Sequence, residues 1–367
     1  MVYFCTLFDK HYMIRGLAMY ESLKKIQIDF HIYIFAFCED SYKALIDMKL
    51  ENTTVISLKE FEDEELLKVK NGRTIAEYCW TCTPSVIKYV LEKYQVPYCI
   101  YLDSDLYFFS SPEDIINELV RKYSIGITPH RFSEQYKKYE INGIYNVQFM
   151  YFKNDKNGNE ALQWWRERCN EWCYARVEDG KFGDQKYLDD WPNRFNSVKV
   201  IDDENIGVAP WNFHNFTYFI KNDKVFQKSK QDSIEKPVIF YHFHNLKIYK
   251  NGYIYIWGYY FTNDLINCCY EKYKNEFLNV LIKYEKYLNT IQSGIIQDDL
   301  ESVILYETYQ SKIKNVCSTN NIIVYNDSLF YKRIKSIKSS LFFNYIINYI
   351  KKIVKKILRI FGLWRKS

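Results

Sequence analysis

The 367-residue chain contains no run of 18 uncharged apolar residues, so it offers no segment long enough to cross a bilayer as a helix. It does not open on a basic stretch, an apolar core and a small-residue cleavage site. Met1-Val2-Tyr3-Phe4-Cys5 reads instead as a strand, and the expected location is cytoplasmic. No internal repeat and no long low-complexity linker is visible, which leaves one large α/β domain or two smaller units. Acidic residues are absent from 331–367, which hold Lys332, Arg333, Lys335, Lys338, Lys351, Lys352, Lys355, Lys356, Arg359, Arg365 and Lys366. With this segment at +11 and the whole chain at +5, residues 1–330 carry −6. The basic balance thus belongs to the tail, and no nucleic-acid partner is expected for the body.

Apolar residues make up 48% of the chain, enough for a sizeable core, and the 35 Tyr and 25 Phe raise the aromatic share to 19%. Most of the ten Cys sit in apolar segments and read as reduced core thiols. Cys79-x-x-Cys82 and Cys169-x3-Cys173 could be assembled into a four-thiolate zinc site, but buried thiols account for them more simply. Short apolar strands are expected at Val2–Phe8, His31–Phe37, Thr54–Leu58, Tyr98–Leu102, Ser124–Thr128, Tyr145–Phe152, Val198–Ile201 and Val238–Phe243. Helices are expected near Ile14–Ile26, Ser41–Met48, Ala76–Tyr94, Pro112–Tyr123 and Asn159–Tyr174. Strands alternating with helices imply a mostly parallel sheet covered on both faces. Residues 262–316 read as helical. In the tail, Ile346, Ile350, Ile353, Val354, Ile357, Leu358, Phe361 and Trp364 recur among lysines, the pattern of an amphipathic helix lying on anionic lipid. The division expected is 1–260 catalytic, 261–330 helical and 331–367 membrane-associating, on the inner face of the cell membrane.

The chemistry concentrates in Tyr98-Cys99-Ile100-Tyr101-Leu102-Asp103-Ser104-Asp105-Leu106-Tyr107-Phe108-Phe109. Two carboxylates one residue apart end an apolar strand, where burial without a partner is costly. At the mouth of a sheet they can share one Mg²⁺ or Mn²⁺. Three readings follow: a glycosyltransferase, a haloacid-dehalogenase-like phosphatase with Asp103 as nucleophile, and a non-catalytic membrane-surface adaptor. The phosphatase needs a flexible turn after its acids, whereas Leu106-Tyr107-Phe108-Phe109 continues as apolar chain. Val238-Ile239-Phe240-Tyr241-His242-Phe243-His244-Asn245-Leu246-Lys247 is a second strand, ending in imidazoles and a lysine. Either His242 or His244 could complete a metal site, and Lys247 could neutralise phosphate. Asp184 and Gln185, in Gly183-Asp184-Gln185, could cap a short helix or grip vicinal sugar hydroxyls. Trp164, Trp165, Trp211 and Trp257 could stack on sugars, with Trp211 the best placed. Arg73 could meet phosphate but reads first as a surface residue.

Taken in order, Phe4-Cys5-Thr6-Leu7-Phe8-Asp9-Lys10-His11-Tyr12, Arg15-Gly16-Leu17, Ala76-Glu77-Tyr78-Cys79-Trp80, Asp103-Ser104-Asp105, Gly143-Ile144-Tyr145-Asn146-Val147-Gln148, Gly183-Asp184-Gln185 and His242-Phe243-His244-Asn245-Leu246-Lys247 resemble bacterial glycosyltransferases of the GT-A fold. The nearest resemblance is to relatives of glycosyltransferase family 8 in surface-polysaccharide assembly, and it covers about residues 1–250. It implies a Rossmann-like α/β fold, with a mixed, mostly parallel sheet and a C-terminal helical region. It also implies a nucleoside-diphosphate-sugar donor, a glycan or lipid-linked acceptor, and retention of anomeric configuration. Thr6, Asp9, Tyr12 and Ser104 would meet the nucleotide. Asp103, Asp105 and His242 or His244 would hold Mn²⁺ or Mg²⁺, Lys247 would meet the diphosphate, and Asp184 and Gln185 would hold the sugar. If the enzyme inverts, Asp189 or Asp190 would take the acceptor proton. The chain departs from the family pattern at Asn245, where a glycine is usual, and in lacking Pro and Trp after Lys247.

Overall fold

The computed structural model describes residues 1–249, 254–256, 262–291, 295–296 and 322–323. Trp257, Cys317 and the tail 331–367 lie outside the described residues.

The first strand, β1 (Val2–Phe8), is followed by α1 (Met13–Lys25), β2 (Phe30–Ala36), α2 (Glu39–Met48), β3 (Thr53–Ser57), α3 (Leu58–Phe61), α4 (Glu64–Lys70), α5 (Ile75–Tyr94) and β4 (Tyr98–Leu102). Then come β5 (Leu106–Phe108), α6 (Glu113–Lys122), β6 (Ile125–Pro129), β7 (Tyr145–Lys153), α7 (Lys156–Glu171), α8 (Trp191–Arg194) and β8 (Val198–Val200). Seven strands form one sheet in the order β3-β2-β1-β4-β7-β6-β8. Every neighbouring pair is parallel except the two made by β7. The sheet is therefore mixed and mostly parallel, the α/β architecture expected from the alternating pattern.

Its faces explain why β1, β2 and β4 read as nearly continuous apolar runs. One face carries a core with Phe4, Ile34, Ile100 and Leu102 against Leu17, Leu23 and Phe277. The other carries Cys5, Phe35, Cys99 and Tyr101 against Val86, Val90 and Trp165. A strand buried on both sides has no polar face to alternate with. Thr74 and Glu77 close a reciprocal capping box at the start of α5, which fixes that covering helix on the sheet.

Past the sheet lie β9 (Phe216–Lys221), β10 (Lys224–Ser229), β11 (Glu235–Pro237), β12 (Phe240–His242), β13 (Leu246–Tyr249) and β14 (Ile254–Ile256). The three-stranded sheet β11-β10-β9 was not foreseen. Its strands mix lysines with apolar residues and carry one solvated face, so no long apolar run marks them. Strand β12 is shorter than the expected Val238–Phe243 because its ladder partner, β5, is three residues long, with a single further bridge from Tyr241 to Val208. The C-terminal described helices are α9 (Asn263–Leu265), a π-helical turn over Ile266–Tyr270, α10 (Glu271–Lys283) and α11 (Glu285–Leu288). Helix α10 packs on α1. Buried Glu276 accepts from Lys25 Nζ and from Tyr107 Oη at 3.1 Å, and Lys283 reaches Glu21 at 2.8 Å. No helix among the described residues is long and apolar enough to cross a membrane.

Candidate active site

Strand β4 ends at Leu102, and Asp103 turns out of the sheet with its amide donating to the Gln148 carbonyl on β7 at 3.1 Å. The apolar run Leu106–Phe108 then pairs antiparallel with β12, placing Phe108 opposite Phe240 and Leu106 opposite His242. The Asp105 carbonyl accepts from the Phe243 amide at 2.9 Å. This pairing carries an imidazole from a distant part of the chain to the carboxylates. His242 Nε2 lies 3.0 Å from Asp105 Oδ1 and 3.8 Å from Asp103 Oδ2. Ligating atoms of Asp105, His242 and His244 all fall within 4.8 Å of one another. Asp103, Asp105 and both histidines therefore converge at the carboxyl end of a central strand, where ligands bind in open α/β sheets. Asn245, at φ +58°, takes the left-handed turn that its glycine-like position requires.

The two acids are unequally compensated. Burial pushes the Asp103 carboxyl up, to about 6, against the pull of His242 and with the push of Asp105. Asp105 is also raised by burial, but the charge and hydrogen bond of His242 outweigh this and leave it at about 2. His244 is lowered, by burial and then by His242. Arg15, buried on α1, adds positive potential at Asp105. Its donors, however, go to the His11 carbonyl at 3.1 Å and the Leu246 carbonyl at 2.5 Å, and its guanidinium lies over the Tyr12 ring. Nothing in the sequence reading gave Arg15 a role.

Other singled-out residues fall around this cluster. Thr6 is buried on β1, and its hydroxyl has no hydrogen-bond partner among the described residues. Asp9 Oδ1 accepts from the amides of His11 and Tyr12 at 2.8 and 3.3 Å, shaping the loop after β1. The Tyr12 hydroxyl is held above its usual pKa by burial and then by Asp105 and Asp103. Ser104 is buried between them. Lys247 is exposed on β13, next to the Leu246 carbonyl that Arg15 holds.

Asp184 is buried, and its carboxyl is pushed up to about 8 by burial and then by the charge of Asp103, which puts it near the cluster. Its carbonyl accepts from Trp165 Nε1 at 2.9 Å. The short helix expected there is only a 3-10 turn, Lys186–Leu188, with no side-chain cap. Gln185 Nε2 donates to the Asn142 carbonyl at 2.9 Å. Asp189 and Asp190 do not join the cluster. Asp189 accepts from the Ile144 amide at 2.9 Å and from Lys186 at 2.7 Å, and Asp190 pairs with Arg194.

Trp211 is buried, edge-to-face with both histidine rings at 5.2 and 5.7 Å. It walls the imidazoles rather than offering an open face to a sugar. Trp165 is likewise buried against Phe152 and Trp191. Trp164 lies under Arg194. Arg73 stacks on Tyr174 with its Cζ 3.9 Å from the ring centroid and donates to the Asn170 carbonyl at 3.3 Å. The nine described cysteines are free thiols, and burial raises Cys82 and Cys169. No cysteine cluster with metal-binding geometry occurs among the described residues.

No family model matches the chain. Among solved structures, the chain is similar to the galactosyltransferase LgtC, in a complex with donor and acceptor sugar analogues. That likeness has a TM-score of 0.49 and 13% identity, over 75% of this chain and 94% of that one. Mouse xyloside xylosyltransferase 1 gives 0.41 and 12%, over 66% and 97%. Neither likeness assigns an activity here. Two Bacillus subtilis (strain 168) proteins, both described as uncharacterized, are similar in sequence. YfnD is 31% identical over 296 residues, 80% of this chain and 91% of its own length. YfnF is 31% identical over 252 residues, 67% and 82%. At that identity and coverage, the chain belongs to the family of YfnD and YfnF.

Proposed function

We propose that this chain is a metal-dependent glycosyltransferase. It would move a sugar from a nucleoside-diphosphate-sugar to a hydroxyl of a glycan or lipid-linked acceptor in surface polysaccharide or lipopolysaccharide assembly, with retention of configuration. The observation that carries the reading is the delivery of His242 by β12 onto Asp103 and Asp105. Two carboxylates and imidazole nitrogen form a donor set suited to Mn²⁺ or Mg²⁺, and the under-compensated Asp103 gives the protein a reason to bind one. Asp103, Asp105 and His242 would hold the ion, with His244 adjacent. A divalent ion bound there supplies positive charge against a departing diphosphate.

The remaining roles belong to side chains of the protein. Thr6, Tyr12 and Ser104 line the approach of the nucleotide, with the loop after β1 set by Asp9. Lys247 meets the diphosphate as a compact positive charge. Asp184 and the side-chain Oε1 of Gln185 face the donor sugar. The phosphatase alternative is disfavoured because Leu106–Phe108 is a paired strand and not a mobile turn. The basic segment 331–367 would dock on anionic lipid at the inner membrane face.

A thermal-shift screen of UDP-, GDP-, CMP- and dTDP-sugars with and without Mn²⁺ tests the reading, because a ligand that binds only the folded state raises the melting temperature. One donor that stabilises the chain only with Mn²⁺ is the expected result. Stabilisation by none of them, together with hydrolysis of phosphomonoesters, overturns it. For the tail, sedimentation with anionic vesicles should be lost in a 1–330 chain.

A further inference from the structure

Gln148 sits in the middle of β7 with no solvent exposure, on a strand whose other buried residues, Asn146 apart, are apolar or aromatic. A buried amide costs free energy unless its groups are paired, so its partners are informative. Its main-chain carbonyl accepts from the Asp103 amide at 3.1 Å. Its side-chain Oε1 lies 2.9 Å from His242 Nδ1. One residue on the antiparallel strand thus touches an acid through its backbone and the imidazole through its side chain.

The amide is itself held in place. The Gln148 main-chain amide donates to Asn146 Oδ1 at 2.8 Å, which fixes the backbone that carries the side chain, and Asn146 Nδ2 lies 3.0 Å from His130 Nε2. Asn212 in turn donates to the His130 and Gly207 carbonyls, both at 2.9 Å. On its far side Gln148 meets Gly207, where an added Cβ would fall 2.6 Å from Gln148 Nε2. Gly207 has φ +76°, so the close approach is built from the one residue that fits there without strain. The Nε2 end has no hydrogen-bond partner among the described residues. That leaves the bond from Oε1 to His242 as the side-chain contact for which a buried glutamine is kept.

We propose that Gln148 is a positioning residue. Its Oε1 accepts the Nδ1 proton of His242, fixing the ring so that Nε2 faces Asp103 and Asp105 and, once the proton it shares with Asp105 is displaced, is the nitrogen offered to a divalent cation. This rests on the cation reading of the site given above. A ligating histidine needs its second nitrogen satisfied, and the partner that satisfies it fixes the tautomer and ring orientation. The carboxamide does this without a charge, in a site already holding two acids.

Two variants of the full chain test it: Gln148→Leu, which removes the acceptor, and Gln148→Glu, which keeps an acceptor of the same shape. The first readout, on metal-free protein, is a protected imidazole proton on His242 Nδ1, observed by NMR with ¹⁵N-labelled histidine and assigned by its loss in His242→Gln. It should be present in the parent and in Gln148→Glu and absent in Gln148→Leu. The second is Mn²⁺ affinity, followed by the EPR signal of the free ion. Gln148→Leu should weaken it by roughly 10–100-fold, and Gln148→Glu should retain it. Unchanged Mn²⁺ affinity in Gln148→Leu overturns the proposal while leaving the cation site standing. Equal loss in both variants also overturns it, since the acceptor would then not be what matters. A parent chain that binds no Mn²⁺ overturns the cation reading and the proposal with it, even where the protected proton is present.

Discussion

Asp103 and Asp105 end a buried strand and face an imidazole, whereas Asp189 and Asp190 follow a single 3-10 turn and face a lysine and an arginine. Exposure separates Asp105 at 11% from Asp190 at 51%, but not Asp103 at 27% from Asp189 at 24%. What separates them is compensation. Lys186 and a backbone amide satisfy Asp189, and Arg194 satisfies Asp190. Asp105 is held low against burial by His242, His244 and Arg15, whereas Asp103 is left raised by burial and by the charge of Asp105. Acids whose charge is already matched are spent on structure. Acids left short of positive charge in a partly buried setting are where a divalent cation lowers the free energy most.

The largest test of this contrast is Asp103→Asn combined with Asp105→Asn. Transfer should fall by at least roughly 100-fold, and the Mn²⁺-dependent rise in melting temperature should vanish. The metal-free chain should stay folded, with the repulsion relieved at Asp103 offset by the loss of the Asp105 partner of His242. A chain that still turns over removes the metal role from this pair.

A second test concerns the imidazoles behind the cluster. Burial, and then the charge of His242, lower His130 to about 3, below the roughly 6.5 of an unfolded histidine. Below pH 6.5 the unfolded chain therefore takes up a proton that the folded chain refuses, and stability falls as pH falls from 6.5 towards 3. Between pH 7 and 5 this is worth roughly 2 kcal/mol. His130→Gln should remove that share of the acid destabilisation, measured by urea unfolding at the two pH values. An unchanged difference would mean that His130 is not buried in its neutral form.

Smaller effects belong to the surface pair. Asp189→Ala should cost ~1 kcal/mol, through the lost acceptor for the Ile144 amide, with transfer retained. Asp190→Ala should shift unfolding by no more than ~0.5 kcal/mol and leave turnover alone. A large loss of turnover in either variant would erase the distinction between the two pairs and restore a carboxylate base.

The central sheet was largely legible in the text. Strands such as Val2–Phe8 and Tyr98–Leu102 are buried on both faces, and nothing but an uninterrupted apolar run can occupy such a place. The sheet β9–β11 was not legible, because half-exposed strands dilute their apolar residues with lysine. In the site, Asp103-Ser104-Asp105 announced itself as charge at the end of an apolar strand, and His242 as an imidazole in the same setting. Arg15 and Gln148 gave no such signal. A single arginine in a helix and a single glutamine in a strand are ordinary residues until their partners are known.

By itself the sequence determined the alternation of strands and helices, the strand end that bears the acids, and the basic tail, since each depends on local pattern or composition. Only the tertiary structure decided which histidine reaches which acid, and which acids are already neutralised. Those outcomes depend on the pairing of β5 with β12 and on ion pairs closed by folding, where energies are set by distances of a few ångströms between residues far apart in the chain.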